Sequence, residues 1–384
     1  MKKIKQCEFD EEVIYQEILP RLPIKSVFRS KLVCKKWLNL ITNDPLFNAH
    51  YSQKCPNITA SSFFCNTSKI FISSDDDDDY HIFNHSALLP DGFNISGSAN
   101  GLIYGVCSKF TQIFICNPIT KHTVYIPNTS FVSSFALVWD PYNPNSGFTI
   151  VSATEDVYRE EEDYSAYALF KVYSSKTGKW QDSPEFMVHN DCYFKRCPVY
   201  TGGKAYWSLG FDVLLFDIEK DVADLIRFPA SDNTHYNHHL LDSSYTEIGV
   251  CDGEVSYSKL TKEADLEIWL LRGKNDEFEW VKKHTVSLQR IIDMNCDVMS
   301  NECENVPGMQ QKTAAKDLVK HRVVKPLPFS GGEAVWFSIS DWNDKFQRVF
   351  TFNLRTQELK LTCDNFRKGL PMCPFVPTLL PCPT

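Results

Sequence analysis

The chain has 384 residues, of which 43% are hydrophobic, 23% charged and 13% aromatic. This composition excludes a predominantly disordered chain, and the 16 glycines and 20 prolines are too few for a collagen-like or low-complexity protein. The net charge of −8 argues against a protein whose main task is to coat nucleic acid. The length favours two domains.

Positive charge is concentrated at the N-terminus. Residues 1–60 hold ten Lys and Arg against six Asp and Glu, whereas the rest holds 30 against 42, so a segment of net charge +4 precedes an acidic remainder. A short basic module of this kind favours an acidic partner. Acidic residues follow the first lysines where a signal peptide needs an apolar core, and no apolar run of about 18 residues is present. We therefore expect a cytoplasmic or nuclear protein whose 14 cysteines are reduced thiols.

Residues 10–51 carry the spacing of short helices. Ile14 and Ile18 repeat at i, i+4 after Asp10, which can cap a first helix that ends near Pro20. Pro23 is typical of a first helical position and predicts the start of a second helix. Further apolar residues predict a third helix and a short last turn: Val33, Trp37, Leu40, Ile41, Leu46, Phe47 and Tyr51. A module this small cannot bury a sufficient core alone, which predicts that it docks on a partner or on a neighbouring domain.

From residue 61 onward, short segments rich in Val, Ile, Phe and Tyr alternate with turn residues, which predicts an all-β structure. A turn glycine followed by a strand that ends in an aromatic residue recurs at Asn100–Tyr104, Gly202–Trp207, Asp252–Tyr257 and Gly331–Trp336. Gly147 begins a weaker copy, and the glycines at positions 101, 147, 203, 253 and 332 are 46, 56, 50 and 79 residues apart. A period near about 50 residues is that of kelch-type propeller blades. A polar insert at residues 291–325 accounts for the long last interval.

A second hairpin follows each glycine turn. The tips of these hairpins are predicted at Asn117–Lys121, Ser174–Trp180, Asp217–Lys220, Arg272–Asn275 and Asn353–Thr356. Two hairpins per period make a four-stranded blade. With strands from 62–72 and 80–89, joined by the C-terminal tail around Phe375–Leu380, the sequence predicts about six four-stranded blades. A generic β-sandwich is the alternative fold.

The sequence predicts no catalytic, cofactor-binding or metal-binding residue. Three groups of residues have a spacing that is nearest to that of metal ligands, but none has the two close ligand pairs of a structural zinc site. They are Cys192 with Cys197, Cys296 with Cys303, and His235, His238 and His239. The glycine pairs Gly202-Gly203 and Gly331-Gly332 lack the flanking residues of a phosphate-binding loop. Ser98 and Ser208 have no identifiable general base that could activate them as nucleophiles. The acidic runs Asp75–Asp79 and Glu160–Asp163 are expected to be solvated loops.

Residues 9–51 resemble an F-box, the docking motif of substrate receptors in cullin-based ubiquitin ligases. The resemblance rests on Glu17–Val27, Val33–Trp37, Leu40 with Ile41, and Asp44–Phe47. The chain has Phe9-Asp10 where the family often begins its first helix with Leu-Pro. This departure affects only the first contact that the module would make with its adaptor. The resemblance implies that a Skp-type adaptor, which is acidic, binds the module. The adaptor-binding residues that it implies are Ile18, Leu19, Leu22, Pro23, Ile24, Val27, Val33, Cys34, Lys35, Trp37 and Leu40.

Residues 97–290 look like the F-box-associated domain of plant F-box proteins, which is a kelch-like propeller. The segments that carry this resemblance follow the order of the family: Asn100–Ile103, Asn117–Lys121, Trp139–Pro141, Val172–Ser174, Gly178–Trp180, Phe216–Ile218, Glu267–Trp269 and Trp280–His284. The two resemblances together imply a small α-helical F-box module at residues 9–52, followed by an all-β propeller at residues 61–384.

The function implied by the resemblances is positioning. The chain would be the non-catalytic substrate-recognition subunit of a Skp-cullin-F-box (SCF) ubiquitin ligase, with no cofactor and no nucleic-acid or membrane partner. Its F-box would bind the Skp-type adaptor and through it the cullin, while the propeller would capture a target protein. Two alternatives differ in class: an interaction scaffold outside any ligase, and a propeller enzyme with a metal or carboxylate centre in its channel.

Overall fold

The structure is a computed structural model. It describes residues 11–22, 24–54, 62–65, 70–72, 83–84, 93–107, 109, 111–128, 134–140, 147–160, 163–188, 194, 197–229, 246–274, 277–303, 314–368, 372–375, 378–379 and 382–383.

The N-terminal module is helical. Its helices are α1 (Glu11–Val13), which continues as a π-helical stretch Ile14–Ile18 and a 3-10 turn Leu19–Arg21, then α2 (Ile24–Ser30), α3 (Lys35–Asn43) and α4 (Pro45–Lys54). Leu22 ends the first segment in an extended conformation, as expected for a residue before a proline. Asp44 starts α4, because its Oδ1 accepts the N–H groups of Leu46 at 2.9 Å and Phe47 at 3.1 Å. Helix α4 is ten residues long, where the sequence predicted only a short turn.

In the described part of the chain after the helical module, antiparallel strands form six sheets, five of four strands and one of five. The strands of the first three sheets are β1 (Ser62–Cys65), β2 (Ile70–Ile72), β3 (Phe83–Asn84), β4 (Phe93–Ala99), β5 (Leu102–Cys107), β6 (Gln112–Asn117), β7 (His122–Pro127), β8 (Phe135–Trp139), β9 (Phe148–Glu160), β10 (Asp163–Ser174), β11 (Lys179–Asp182) and β12 (Phe186–Val188). The other strands are β13 (Val199–Thr201), β14 (Lys204–Leu209), β15 (Asp212–Asp217), β16 (Val222–Arg227), β17 (Thr246–Cys251), β18 (Glu254–Leu260), β19 (Asp265–Lys274), β20 (Glu277–Ser287), β21 (Arg322–Pro326), β22 (Ala334–Asp341), β23 (Phe346–Asn353), β24 (Leu359–Arg367) and β25 (Met372–Phe375).

These sheets are the blades of a β-propeller. Blade 1 has the order β25-β1-β2-β3, blade 2 is β4–β7, blade 3 is β8–β11 with β12 added on β10, and blades 4, 5 and 6 are β13–β16, β17–β20 and β21–β24. The C-terminal strand β25 closes the ring, because it pairs with β1 while its Met372 packs against the core of blade 6. The prediction of about six four-stranded blades is confirmed, with a fifth strand in one of them.

The predicted repeat has the same place in successive blades. The glycine turns join the first and second strands, and all four turns of the main repeat have positive φ at both residues, for example Asn100-Gly101 (49° and 78°) and Asp252-Gly253 (53° and 82°). Such mirror-image turns favour glycine and Asn or Asp, which explains the sequence signal. The predicted second hairpin tips join the third and fourth strands of blades 2 to 6.

Two tryptophans at equivalent places join neighbouring blades. Trp180 of blade 3 donates its indole N–H to the carbonyl of Pro127 in blade 2, and Trp280 of blade 5 donates to the carbonyl of Arg227 in blade 4. The donor and acceptor residues are 53 positions apart in both cases. The repeat period of the sequence is therefore also the spacing of these two inter-blade hydrogen bonds.

An acidic side chain holds the hairpin tip of blade 4. Asp217 is buried, and its Oδ1 accepts the N–H groups of Glu219 at 3.1 Å and Lys220 at 3.0 Å, while Oδ2 lies 3.0 Å from Nζ of Lys204. Burial by itself raises the pKa of this carboxyl, but the hydrogen bonds and the Lys204 ammonium outweigh it, and the net pKa is lowered.

Because the pKa of Asp217 is lower in the folded state, its contribution to stability is present above the unfolded pKa of about 3.9 and is lost as the pH falls through the folded value. We expect the free energy of unfolding of the wild type to fall more steeply below about pH 4 than that of Asp217→Asn. Denaturant titrations at several pH values measure this, with Asp182→Asn, on an exposed carboxylate, as the control. Equal slopes for wild type and Asp217→Asn would contradict the assignment.

The described residues between blades 5 and 6 are helical, so the insert predicted at residues 291–325 is built at least partly from helices, which the sequence did not indicate. Helices α5 (Leu288–Met294), α6 (Cys296–Cys303) and α7 (Ala314–His321) bury Leu288, Ile291, Met299 and Leu318 in the core between the two blades. Strand β21 lies within the predicted insert but belongs to blade 6. Polar residues on the outer faces of these short helices concealed the apolar periodicity of their inner faces.

Candidate functional site

The helical module has a small filled core. Leu19, Val27, Ile41 and Tyr51 are each no more than 1% exposed and pack with Phe47. The hydroxyl of Tyr51 donates to the carbonyl of Leu22 at 3.1 Å, which ties α4 to the end of the first helical segment. The apolar side chains that remain outside this core are therefore surplus to the module's own folding.

The surplus forms an exposed apolar set on the module. Its members are Leu32 (88% exposed), Leu46 (81%), Val33 (63%), Leu38 (47%), Val13 (45%) and Ile18 (42%). Leu32 and Val33 lie in the turn between α2 and α3, and Leu46 lies in the first turn of α4. Isolated apolar residues on a surface are ordinary, but so many on a module this small make them candidates for a contact surface.

The structure divides the predicted adaptor-binding residues into three groups. Ile18, Val33, Cys34 and Lys35 are exposed, and Leu22, Trp37 and Leu40 are half-buried at the edge of the core. Leu19 and Val27 are 1% and 0% exposed and fill the core of the module, and a contact of either side chain with an adaptor stays a prediction. Pro23 and the side chain of Ile24 lie outside the described residues, as does the Phe9-Asp10 start.

Sequence reasoning did not assign Leu32, Leu38 and Leu46 to the contact surface. Leu32 falls at helical spacing after Val27 and Phe28, and the chain leaves the helix at Ser30. The available signal was the number of apolar residues, which exceeds what a core of three or four short helices can cover.

Lysines adjoin the exposed apolar set in sequence, since Lys31 precedes Leu32 and Lys35 follows closely after Val33. The Nζ atom of Lys31 lies 4.2 Å from the ring centroid of Phe28, and that of Lys36 lies 5.7 Å from the ring of Tyr15. Partial burial lowers the pKa of Lys31. Lys35 is exposed at the start of α3. The surface thus combines apolar side chains with positive charge, which suits an acidic partner that also has an apolar groove.

The C-terminal tail joins the helical module to the propeller. Leu379 is 3% exposed and completes the core of the module, where Ile119 of the blade 2 hairpin tip also packs. On the propeller side, Asn117 donates its Nδ2–H to the carbonyl of Thr378 at 3.1 Å. The buried thiol of Cys382 accepts the backbone N–H of Asn117 at 3.1 Å, and burial raises the pKa of Cys382 to about 12. The module therefore rests on a defined junction.

Truncation of the tail side chain at this junction should loosen the module. We expect Leu379→Ala to destabilise the helical module by about 2–4 kcal/mol, because it removes a buried leucine from a small core. Hydrogen exchange followed by mass spectrometry should then show faster exchange in residues 24–54 and unchanged exchange in blades 3 to 5. Leu361→Ala, on a 38% exposed side chain of β24, is the matched control. Unaltered exchange in the module would contradict the junction.

The propeller exposes aromatic side chains at one end. Trp342 (50% exposed) and Phe346 (51%) flank the turn between β22 and β23, and Phe211 (41%) lies in the turn between β14 and β15. Both turns join second and third strands, and neighbouring strands are antiparallel, so they lie at the end of the ring opposite the Ile119 turn. The Nζ atom of Lys368 holds the first of these turns, since it donates to the carbonyl of Trp342 at 3.2 Å.

The candidate metal ligands give no cluster in the part of the chain that the structure describes: no group of three or more His, Cys, Asp or Glu there is placed to hold a metal ion. Cys192 and the three histidines at 235, 238 and 239 lie outside the described residues. No helix among the described residues is long and apolar enough to span a membrane.

Comparison with known families agrees with both parts of this architecture. The F-box profile matches residues 12–48, and the profile of the β-propeller of F-box proteins like At3g26010 matches residues 82–302, which is more than half of the chain. The chain belongs to this family of F-box β-propeller proteins. An F-box followed by a propeller is the organisation of a substrate-receptor type of protein, and an F-box in general binds a Skp-type adaptor.

Relatives from Arabidopsis thaliana extend over most of the chain. F-box protein At5g07610 is 25% identical over 74% of this chain and 71% of its own length. F-box protein At5g49610 is 26% identical over 76% of this chain and 82% of its own length. F-box/kelch-repeat protein At3g23880 is 22% identical over 70% of this chain and 76% of its own length. Each similarity therefore extends over most of both chains.

Proposed function

We propose that this protein is the substrate-recognition subunit of an SCF-type ubiquitin ligase. The observation that carries the proposal is the exposed apolar set on the F-box, above all Leu32, Leu46 and Val33, beside a core that is already filled. A Skp-type adaptor with an apolar groove and acidic rim would cover these side chains. Through the adaptor, the chain would join a cullin.

In this proposal, the junction holds the F-box in a fixed orientation relative to the propeller. Leu379 lies in the F-box core, and the neighbouring tail residues are hydrogen-bonded to blade 2, so an adaptor bound to the F-box would stand at a set position relative to the propeller. A target held on the propeller would then meet a ubiquitin-charged enzyme at a high effective concentration. This role needs orientation and no catalytic residue, and we propose that the chain is not an enzyme and acts inside the cell, in cytoplasm or nucleus.

The end of the ring that carries Phe211, Trp342 and Phe346 is the proposed surface for the target protein. Exposed aromatic residues are frequent anchors of protein interfaces, and this end faces away from the F-box junction. The alternative is an interaction scaffold outside any ligase. Such a scaffold would use the same propeller but would not need the exposed apolar set on the F-box.

Calorimetric titration of the full-length protein with a purified Skp-type adaptor tests the proposal. We expect one adaptor per chain with a Kd of about 1 μM or tighter, corresponding to about 8 kcal/mol or more. A version without residues 1–54 serves as the control, with circular dichroism to verify that its propeller is folded. No heat of binding with folded full-length protein would contradict the adaptor contact and favour the scaffold.

A further inference from the structure

Two cysteines from opposite sides of the ring meet near its centre. Cys197 precedes β13, the first strand of blade 4, and Cys373 lies on β25, the ring-closing strand of blade 1. Their Sγ atoms are 2.6 Å apart, which is about 0.5 Å more than the S–S bond length of about 2.05 Å, so a small shift of either side chain would bring them to bonding distance. In a ring of six blades, blades 1 and 4 face each other, so this pair spans the propeller.

The two thiols differ in their access to solvent. Cys373 is 1% exposed, whereas Cys197 is partly exposed. The backbone of Cys197 is left-handed (φ 66°), an unfavourable conformation for this residue that the surrounding structure must hold in place. Burial raises the pKa of the Tyr104 phenol well above its usual range, and the electrostatic influence of the Cys373 and Cys197 thiols raises it further. Cys197 is therefore the sulfur that a small oxidant reaches first.

We propose that Cys197 and Cys373 form a reversible disulfide that locks the closure of the propeller. Hydrogen peroxide, as the oxidant, converts the Cys197 thiol into a sulfenic acid and releases one water. The Cys373 thiol then attacks this sulfur, the S–S bond forms and a second water leaves. The two thiols lose two electrons and two protons in total, and one peroxide is reduced to two waters.

Because Cys373 lies on the ring-closing strand, a disulfide at this residue would stabilise the closed propeller. Strand β25 holds the first and last blades together, and its loss from the ring would open the propeller. A bond between Cys197 and Cys373 ties this strand to blade 4 and closes a covalent loop across 176 positions of the chain. Cross-links over long loops strongly restrict the unfolded chain, so the oxidised propeller should unfold at a higher temperature than the reduced one.

The test uses the full-length protein treated with hydrogen peroxide, then alkylated under denaturing conditions, digested without reductant and analysed by mass spectrometry. We expect a linked peptide pair that contains Cys197 and Cys373 with the loss of two hydrogens. We also expect the thermal unfolding midpoint to rise by about 5 °C or more, and to return to its original value with dithiothreitol.

Variants separate this bond from general effects of oxidation. Cys197→Ser and, independently, Cys373→Ser should abolish both the linked peptide and the rise. Cys107→Ser, which removes another partly exposed thiol, should retain both. Alkylation of Cys197 and Cys373 as separate thiols after peroxide treatment would overturn the proposal, as would a rise of the midpoint that persists in Cys197→Ser. A linked peptide without a rise of the thermal unfolding midpoint would show that the disulfide forms but does not lock the closure of the propeller.

Discussion

Replacement of Leu32 and Leu46 by aspartate together is expected to abolish adaptor binding while the protein stays folded. The side chains are 88% and 81% exposed, so the variant creates no cavity, and surface changes of this kind usually alter the free energy of unfolding by less than about 0.5 kcal/mol. On binding, each carboxylate would be buried against an apolar groove without a partner, which costs several kcal/mol. We expect the adaptor affinity to fall by at least about 100-fold in calorimetry.

The control for this experiment is Val222→Asp. Val222 is 51% exposed on the outer strand of blade 4, so the substitution adds one carboxylate, half of the charge that the double variant adds, to an exposed apolar site on the propeller. It should leave adaptor affinity unchanged. Wild-type affinity in the Leu32 and Leu46 variant would show that the adaptor does not use the exposed apolar set, whereas equal losses in both variants would point to a general effect of negative charge.

Phe375→Ala is expected to cause the largest loss of stability among single substitutions considered in the propeller. Phe375 is 1% exposed on the ring-closing strand, where it is paired with Ser62 and packs with Ile103 and Phe114 of blade 2. Removal of a buried phenylalanine costs about 3–5 kcal/mol. Because the cost falls on the strand that holds the ring together, we expect a corresponding shift of the denaturant midpoint in equilibrium unfolding.

Met187→Ala on β12 is the matched comparison for Phe375→Ala. Its side chain is 64% exposed, so truncation should change the free energy of unfolding by less than about 0.5 kcal/mol. If Phe375→Ala were as stable as Met187→Ala, the closure of the ring by β25 would be wrong.

Much of the fold could be predicted from the sequence because its repeats have local causes. A turn such as Asp252-Gly253 needs residues that tolerate positive φ, and tips such as Asn353–Thr356 use a side-chain oxygen of Asn353 that accepts two backbone N–H groups at 2.8 and 2.9 Å. These requirements act within four or five residues and leave a recurring pattern. The helices between blades 5 and 6 do not recur, and their short apolar faces are recognisable only where blades flank them.

The candidate site was less predictable from the sequence than the fold. The pattern identified the F-box but could not separate Leu19 and Val27, which fill its core, from Leu32 and Leu46, which are exposed. That division depends on where each short helix ends. The junction through Leu379 and the approach of Cys197 to Cys373 join residues far apart in sequence, and no local pattern indicates them.

The most direct test of the proposed role is parallel affinity purification, from plant cells, of the tagged wild type and the variant with aspartate at positions 32 and 46. We expect a Skp-type adaptor and a cullin to co-purify with the wild type and to be lost from the variant. We also expect proteins captured by the propeller to be retained by both and to accumulate with the variant, because the link to the ligase is broken. Wild-type protein that purifies without adaptor and cullin, or an equal amount of both with the variant, would contradict the proposed role.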